Sequence, residues 1–153
     1  MGLLALLLTL HIVGVVIWVG GMFFAYVCLR PVLVGLFDPQ QRLRVWRSVF
    51  ARFFVWVWWA VALIGGSGLI MLVQRGFATA PLAWHLMMGS GLVMIGIFAF
   101  VARLLYPALG RAVDAEDWKT GSLVLVRMRQ MVGANLILGL LTIAIATVGN
   151  FLF

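Results

Sequence analysis

Charge, and negative charge above all, is scarce in this chain. Only 10% of the 153 residues are charged and four of them are Asp or Glu, whereas about 25% of the residues of an average soluble domain are charged. All four carboxylates lie outside the long apolar runs of the sequence. Chemistry that depends on paired carboxylates, such as hydrolysis or proton relay through buried acids, is therefore not expected.

Residue types that commonly bind metals or act as nucleophiles are also few. The chain has one cysteine, Cys28, and two histidines, His11 and His85. A single cysteine excludes an intrachain disulfide, and with it a disulfide-stabilised secreted domain. The sequence has no Cys cluster, no Ser/His/Asp set and no phosphate-binding loop. The two histidines are therefore the first candidates for a site.

Apolar residues, in contrast, are abundant. They make up 65% of the chain, against about 45–50% in an average soluble domain. A soluble sphere of this length cannot bury so much apolar surface, which excludes a water-soluble enzyme and a nucleic-acid-binding domain. The net charge of +7 does not alter this conclusion, because the basic residues lie at the ends of the apolar runs and in the connections. We expect membrane lipid, and no nucleic acid, as a partner.

Four apolar runs are long enough to cross a bilayer, for which a helix needs about 20 residues. Because the runs lack the alternation of a membrane β-strand, we expect helices. The fold class is therefore an all-α integral membrane four-helix bundle that forms a single domain over residues 1–153. The predicted spans are Gly2–Leu29, Phe53–Val73, Pro81–Ala102 and Val132–Phe153.

The distribution of basic residues predicts the orientation of the bundle. The connections 30–52 and 103–131 carry five basic residues each, and the link between the second and third spans carries only Arg75. Basic loops stay in the cytoplasm, which predicts an N-out/C-out protein of the bacterial inner membrane. The basic residues of both connections are expected to contact anionic lipid heads.

The two basic connections share a pattern. Asp38 lies seven residues after Pro31, and Asp114 lies seven residues after Pro107. Asp38 with Gln41 is typical of a capping box, and the acids that begin at Asp114 suit a second helix N-terminus. Each basic helix is expected to continue into the next span. The pattern predicts two helical hairpins related by a pseudo-two-fold axis along the membrane normal, with convergence of unrelated hairpins as the alternative.

The two histidines lie in the outer halves of the first and third spans. Residues that can ionise inside a membrane usually carry function. We predict that His11 and His85 bind one ligand together, and the preferred ligand is heme b with both imidazoles on the iron. The structural alternative is a neutral imidazole hydrogen-bonded across helices, for example to Ser67 or Thr142.

Small residues near the histidines predict room for a macrocycle. A heme in such a slot would make the protein an electron-transfer protein or a heme-dependent membrane oxidoreductase, with a quinone or a periplasmic redox protein as its partner. Close helix packing is the alternative explanation of each glycine. The residues predicted to line the slot are Gly14, Trp18, Gly66 and Gly89.

Copper is the competing cofactor, because Cu(I) prefers thioether, thiolate and imidazole ligands. The copper alternative uses both histidines together with Met87 and Met88. In a third interpretation the histidines only pack, and the protein is a homodimer or a structural subunit of a respiratory complex. Asn135 is an amide well inside a span, and we expect it to make an interhelical hydrogen bond.

Several segments carry a resemblance to a known family. They are Leu10–Met22 with the following Leu29-Arg30-Pro31, Val49–Trp58, Trp84–Gly89 and Ala115–Trp118. These segments resemble a short, stand-alone branch of the bacterial copper-resistance D (CopD) family, and the resemblance covers nearly the whole chain. It implies an integral inner-membrane protein connected with copper transport or copper resistance.

A more distant resemblance is to the HemJ-type protoporphyrinogen oxidase, a four-helix membrane enzyme thought to bind heme through histidine. It rests on the early Leu10-His11 pair and on the third span. That family carries a His-x-Lys motif in its third helix, whereas this chain has His85-Leu86-Met87. The missing lysine argues against porphyrinogen oxidation and leaves histidine ligation open.

Overall fold

Four long helices make up most of the protein. The computed structural model describes residues 2–152, and the side chains of residues 2–149. The helices are α1 (Gly2–Leu36), α2 (Pro39–Arg75), α3 (Leu82–Asp114) and α4 (Trp118–Leu152). Each is long and apolar enough to cross a membrane, which confirms the predicted all-α four-helix membrane protein. Met1 and Phe153, the ends of the predicted domain, lie outside the described residues.

The helices extend well beyond the predicted spans. The connections predicted at 30–52 and 103–131 are largely helical, and the turns themselves cover only residues 37–38 and 115–117. As predicted, each basic segment continues into the following span as one helix. The third turn, 76–81, contains the short 3₁₀ helix Phe77–Thr79. We call the end of the bundle with the two basic turns the basic end, and the end with turn 76–81 the outer end.

The helices pair as two antiparallel hairpins. The outer half of α1 packs along α2, and the outer half of α3 packs along α4. Such pairing is expected where the turns are short. The hairpins dock on each other through α4, which contacts both α1 and α2, and the last turns of α3 also contact α2. This arrangement accords with the predicted relation of two similar hairpins.

A heptad pattern places the core between the hairpins. A residue at every seventh position of a straight helix stays on one side, so these positions form the inner stripe of an antiparallel bundle. The aromatic ring of Phe98 on α3 packs edge-to-face against Trp18 on α1 and Phe54 on α2, with ring centroids 6.0 and 5.5 Å away. The buried heptad residues are Leu43, Phe50 and Val57 on α2, and Gly121, Met128 and Asn135 on α4.

Two π-helical segments occupy corresponding places in the two hairpins. One covers Phe24–Leu29 just before Arg30-Pro31, and the other covers Val101–Leu105 just before Tyr106-Pro107. Proline has no N–H to donate and its ring crowds the carbonyl four residues earlier, so the preceding turn widens. The match supports the predicted repeat. A third π segment, Val16–Gly20, occurs in α1 only among the described helices.

The caps of α2 and α4 correct one detail of the predicted repeat. Asp38 and Gln41 form the predicted capping box, with the Gln41 N–H donating to Asp38 Oδ1 at 2.8 Å. On α4 the corresponding acid is Asp117, which accepts the N–H of Thr120 at 3.0 Å. Hydrogen bonds from Thr120 lower the pKa of the Asp117 carboxyl. Asp114 is not the counterpart of Asp38, because α3 continues to Asp114 before the chain turns.

Candidate functional site

His11 is held by a hydrogen bond between the two helices of the first hairpin. Its Nδ1 lies 3.0 Å from the hydroxyl of Ser67 on α2, and that hydroxyl donates its only proton to the carbonyl of Leu63. Nδ1 therefore carries a hydrogen and donates to Ser67, which leaves the lone pair of His11 on Nε2. The imidazole also lies against Gly68, whose lack of a side chain makes room for it.

His85 is held in the same protonation pattern by a different contact. Its Nδ1 lies 3.2 Å from the backbone carbonyl of Pro81, one turn earlier on α3. A carbonyl only accepts, so Nδ1 donates and the lone pair again lies on Nε2. The Phe77 ring of the outer turn meets the imidazole edge-to-face, with centroids 4.7 Å apart. Metal-binding histidines are commonly oriented in this way, with one nitrogen donating to a protein oxygen.

The two histidines belong to different hairpins, and each has its own partners. His11 contacts α2, whereas His85 contacts its own helix and the outer turn. The interhelical hydrogen bond of His11 is the one that the structural alternative predicts. Among residues 2–149 the structure records no hydrogen bond or ring contact that joins the two imidazoles. Ligation of one heme by both histidines stays a prediction, because two axial imidazoles would lie on opposite sides of the iron without touching each other.

The predicted slot residues are not grouped around the histidines. Gly14 packs directly on α2, because a Cβ there would lie 2.8 Å from the Ile64 side chain and 3.0 Å from the Ala60 carbonyl. Gly66 and Gly89 are exposed, and a Cβ at either would meet no atom within 4 Å. They do not line an interior slot.

Trp18 and the buried face of α3 show why the slot is absent. Trp18 is buried against Phe98, as part of the aromatic core. On the outer part of α3, up to Phe100, the buried side chains are Ala83, Met94 and Phe98, which lie on a different face from Gly89. That face turns toward α4, where Gly139 and Gly149 allow close approach. Which face of α3 is buried therefore depends on its contacts with α4 and not on the sequence of α3 alone.

The methionines proposed as copper ligands divide between two faces of α3. Met88 lies three residues after His85 and shares its face, whereas Met87 lies two residues after it and faces elsewhere. Met88 is 38% exposed and Met87 is half-buried. Met88 therefore shares a face with His85 and Met87 does not, while a common copper site of His11, His85, Met87 and Met88 stays a prediction.

Three other methionines lie in the core of the bundle. Met22 on α1, Met94 on α3 and Met128 on α4 are 2%, 4% and 0% exposed. Met22 and Met94 belong to the thioethers inside spans that the copper alternative could draw on, but none of the three was predicted as a ligand. Methionine is also an ordinary filler of apolar cores, so the sequence does not distinguish a ligand from a packing residue at these positions.

Asn135 differs from its prediction. The side chain is only 3% exposed, on the inner stripe of α4, but its Oδ1 has no hydrogen-bond partner. The expected interhelical hydrogen bond to this oxygen is therefore absent from the described structure. Buried polar atoms in proteins are satisfied in the great majority of cases, so each exception needs an explanation.

The basic end is closed by ion pairs between the hairpins. Arg47 of α2 makes a two-point ion pair with Asp114, and its Nη2 donates to Oδ2 at 3.0 Å. Arg44 lies 3.6 Å from Glu116 and packs over the Trp118 ring. With Asp38 and Asp117 used as caps, each of the four carboxylates is engaged at this end. Over the described residues, no three or more His, Cys, Asp or Glu side chains gather as a metal site.

Comparison with known families gives one match. Residues 47–148, more than half of the chain, match the family model CopD, described as copper resistance protein D. The matched stretch contains His85, Met94 and Asn135, while His11 and Met22 precede it. A search of the curated proteins gives no match, and neither does a search of the solved structures. The resemblance to the HemJ-type oxidase is not shown by any of these comparisons.

Proposed function

The chain belongs to the copper resistance protein D family, and from this membership we propose that it binds copper ions and carries them across the membrane. The protein is a multi-pass protein of the inner membrane, with four helices able to span it. Copper is here the cargo of the protein. Heme chemistry is not part of the proposal, because neither the family nor the geometry of the histidines favours it.

The observation that carries the proposal is the kind of donor atom inside the spans. Cu(I) prefers imidazole nitrogen and thioether sulfur, and hard divalent cations prefer carboxylates. The membrane-embedded part of the chain offers two imidazoles with Nε2 lone pairs and several thioethers. The carboxylates, in contrast, are all engaged at the basic end. This donor set suits a soft monovalent cation.

The outer end offers a first contact for the ion. His85 and Met88 share one face of α3 within about two turns of the 76–81 loop, and Met88 is partly exposed. An imidazole and a thioether at positions i and i+3 can approach one ion together. His11 lies deeper along the neighbouring hairpin, with its Nδ1 fixed by Ser67. We propose His85 and Met88 as the entry ligands, and His11 as a ligand farther along the path.

The test is Cu(I) uptake into proteoliposomes that contain the purified full chain and a Cu(I)-sensitive dye. We expect uptake above that of protein-free vesicles, and at least a tenfold lower initial rate for His85→Ala and Met88→Leu. The matched control is Met71→Leu, which changes a thioether on α2 outside the proposed ligands. An uptake by the native chain equal to that of empty vesicles would contradict the proposal. An optical spectrum with a heme Soret band would redirect it toward heme.

A further inference from the structure

The side-chain oxygen of Asn135 has no hydrogen-bond partner. Burying an unpaired amide in an apolar core costs free energy. The Asn135 side chain is 97% buried, on the inner stripe of α4. A leucine has the same branched heavy-atom skeleton without a polar atom to satisfy, and it would suit the apolar surroundings better. An amide oxygen without a donor in such a core therefore points to something that binds it.

The contacts of α4 with α1 fix what lies beside Asn135. Gly139 on α4 meets Val19 on α1, and Gly133 meets Tyr26, since a Cβ at either glycine would lie within about 3.1 Å of these side chains. α1 and α4 run in opposite directions. Asn135 lies between the two glycines on α4, and Met22 lies between Val19 and Tyr26 on α1. The two buried side chains are therefore at the same level of the bundle.

Met94 approaches the same level from α3. Its methyl group would lie 3.1 Å from a Cβ at Gly139, which is one helical turn from Asn135. Val19 lies against the same glycine, so α1, α3 and α4 meet at this point. Met22 and Met94 are almost fully buried. Two thioethers and one partnerless amide oxygen thus come from three different helices into one part of the core.

We propose that Met22, Met94 and Asn135 form a binding site for Cu(I) in the middle of the membrane. The inference deepens the proposed copper function and rests on it. The two thioethers supply the soft ligands that Cu(I) prefers. The amide oxygen carries a partial negative charge, so it can bind the ion and replace part of the hydration that the ion loses on entering the core. Since the site carries no formal negative charge, it can hold a monovalent ion and still release it.

The experiment measures Cu(I) affinity of the detergent-purified full chain by competition with a chromogenic Cu(I) chelator. Met22→Leu and Met94→Leu change little in volume, and Asn135→Leu keeps the number and branching of the side-chain heavy atoms, so the bundle is expected to fold. We expect each to bind Cu(I) at this site at least tenfold more weakly than the native chain. Met71→Leu, on the outer part of α2, is the matched control and should keep the native affinity.

A second measurement separates a ligand from a structural role. If Asn135 exists for the ion, Asn135→Leu without copper should have a thermal midpoint at least as high as that of the native chain. A lower midpoint together with native Cu(I) affinity would mean that the amide serves the fold, for example through a buried water, and would overturn the inference. X-ray absorption of the Cu(I)-loaded chain should show sulfur scattering that decreases in Met22→Leu and Met94→Leu.

The inference and the proposed function can fail separately. Native uptake into proteoliposomes that persists in all three variants would overturn the mid-membrane site and leave copper transport in place. A chain without uptake that still loses Cu(I) affinity in the three variants would overturn transport and keep the site. Native affinity in all three variants overturns the site whatever the uptake.

Discussion

The hydrogen bond made by one nitrogen of an imidazole decides what the other nitrogen can do. His11 donates to a hydroxyl on a neighbouring helix, and His85 donates to a carbonyl on its own helix. In both, Nε2 keeps the lone pair that a metal ion needs. The two side chains thus share a chemical state without sharing a partner. The feature that the two histidines have in common is therefore the tautomer, with the hydrogen on Nδ1, and not a shared partner.

At Gly14 we predict that a single methyl group disturbs the first hairpin. A Cβ there would meet a backbone carbonyl of α2 at 3.0 Å as well as the Ile64 side chain, and a backbone atom cannot move aside cheaply. Gly14→Ala should lower the free energy of unfolding by about 1–3 kcal/mol. The measurement is chemical denaturation in detergent, followed by helical circular dichroism.

Gly66→Ala is the matched control for Gly14→Ala. Gly66 is exposed, with open space where a Cβ would lie. Alanine favours a helix over glycine by up to about 1 kcal/mol, so this variant should be as stable as the native chain or more stable. Equal losses in the two variants would contradict the assignment of Gly14 to the helix contact.

These two glycines also show what the sequence can and cannot predict at the scale of a residue. Both were expected to line a slot, since glycine marks either close packing or open space and the residue alone does not say which. The histidines were found as site candidates because ionisable residues are rare in spans. Asn135 was noticed for the same reason, but the absence of its partner depends on side chains of other helices.

Among the helices, α2 and α4 each begin after an aspartate that caps the N-terminus. Asp38 accepts an N–H of the first turn and Gln41 reaches back to the Asp38 backbone. We predict that Asp38→Ala lowers the free energy of unfolding by about 1 kcal/mol, because the cap is lost. Thermal unfolding in detergent checks this. Gln40→Ala, in the same turn but outside the capping box, should leave the midpoint unchanged, and an equal loss there would argue against the cap.

Features that depend on neighbouring residues in sequence, such as spans and caps, were predicted well. Features that depend on contacts between different helices were not. The length of an apolar run predicts a span, and an acid before a basic helix predicts a cap, because both depend on neighbours in sequence. The acids of 114–117 were predicted over the N-terminus of the second basic helix, and the residue that caps it is Asp117, because α3 continues to Asp114. The prediction that Gly89 of α3 faces the interior was wrong, because the face of α3 that packs on Gly139 and Gly149 of α4 is a different one.

For the whole molecule, the orientation in the membrane is still a prediction. Charge places the basic end in the cytoplasm and turn 76–81 outside. In a chain with Cys28→Ser, we expect a membrane-impermeant maleimide to label Ala78→Cys in intact spheroplasts and not Ala115→Cys. Both alanines are exposed in turns, so they form a matched pair. Detergent lysis should make both react. Labelling of Ala115→Cys alone in intact spheroplasts would reverse the orientation.

The ion pairs at the basic end tie the hairpins together at the level of the whole molecule. Arg47 and Asp114 come from opposite hairpins, and Arg44 with Glu116 adds a second link. Such exposed pairs contribute little to stability, about 0–1 kcal/mol each. Their role is to join the two hairpins at the basic end, which is the end of the bundle away from the histidines. The sequence predicted Arg44 and Arg47 as lipid contacts and the two acids as residues of a helix N-terminus, because pairing between distant turns has no local signal.

The π-helical segments before the two prolines bear on how this chain should be aligned with its relatives. A π turn holds one residue more than the α-helical turn that it replaces. Removing one residue from Phe24–Leu29 would therefore restore a regular helix and leave the rest of α1 on the same face, with Leu33 still buried. Relatives without the proline should differ by a single-residue deletion inside the span. An alignment that places its gaps in the turns would then misassign every residue between the gap and the end of the helix.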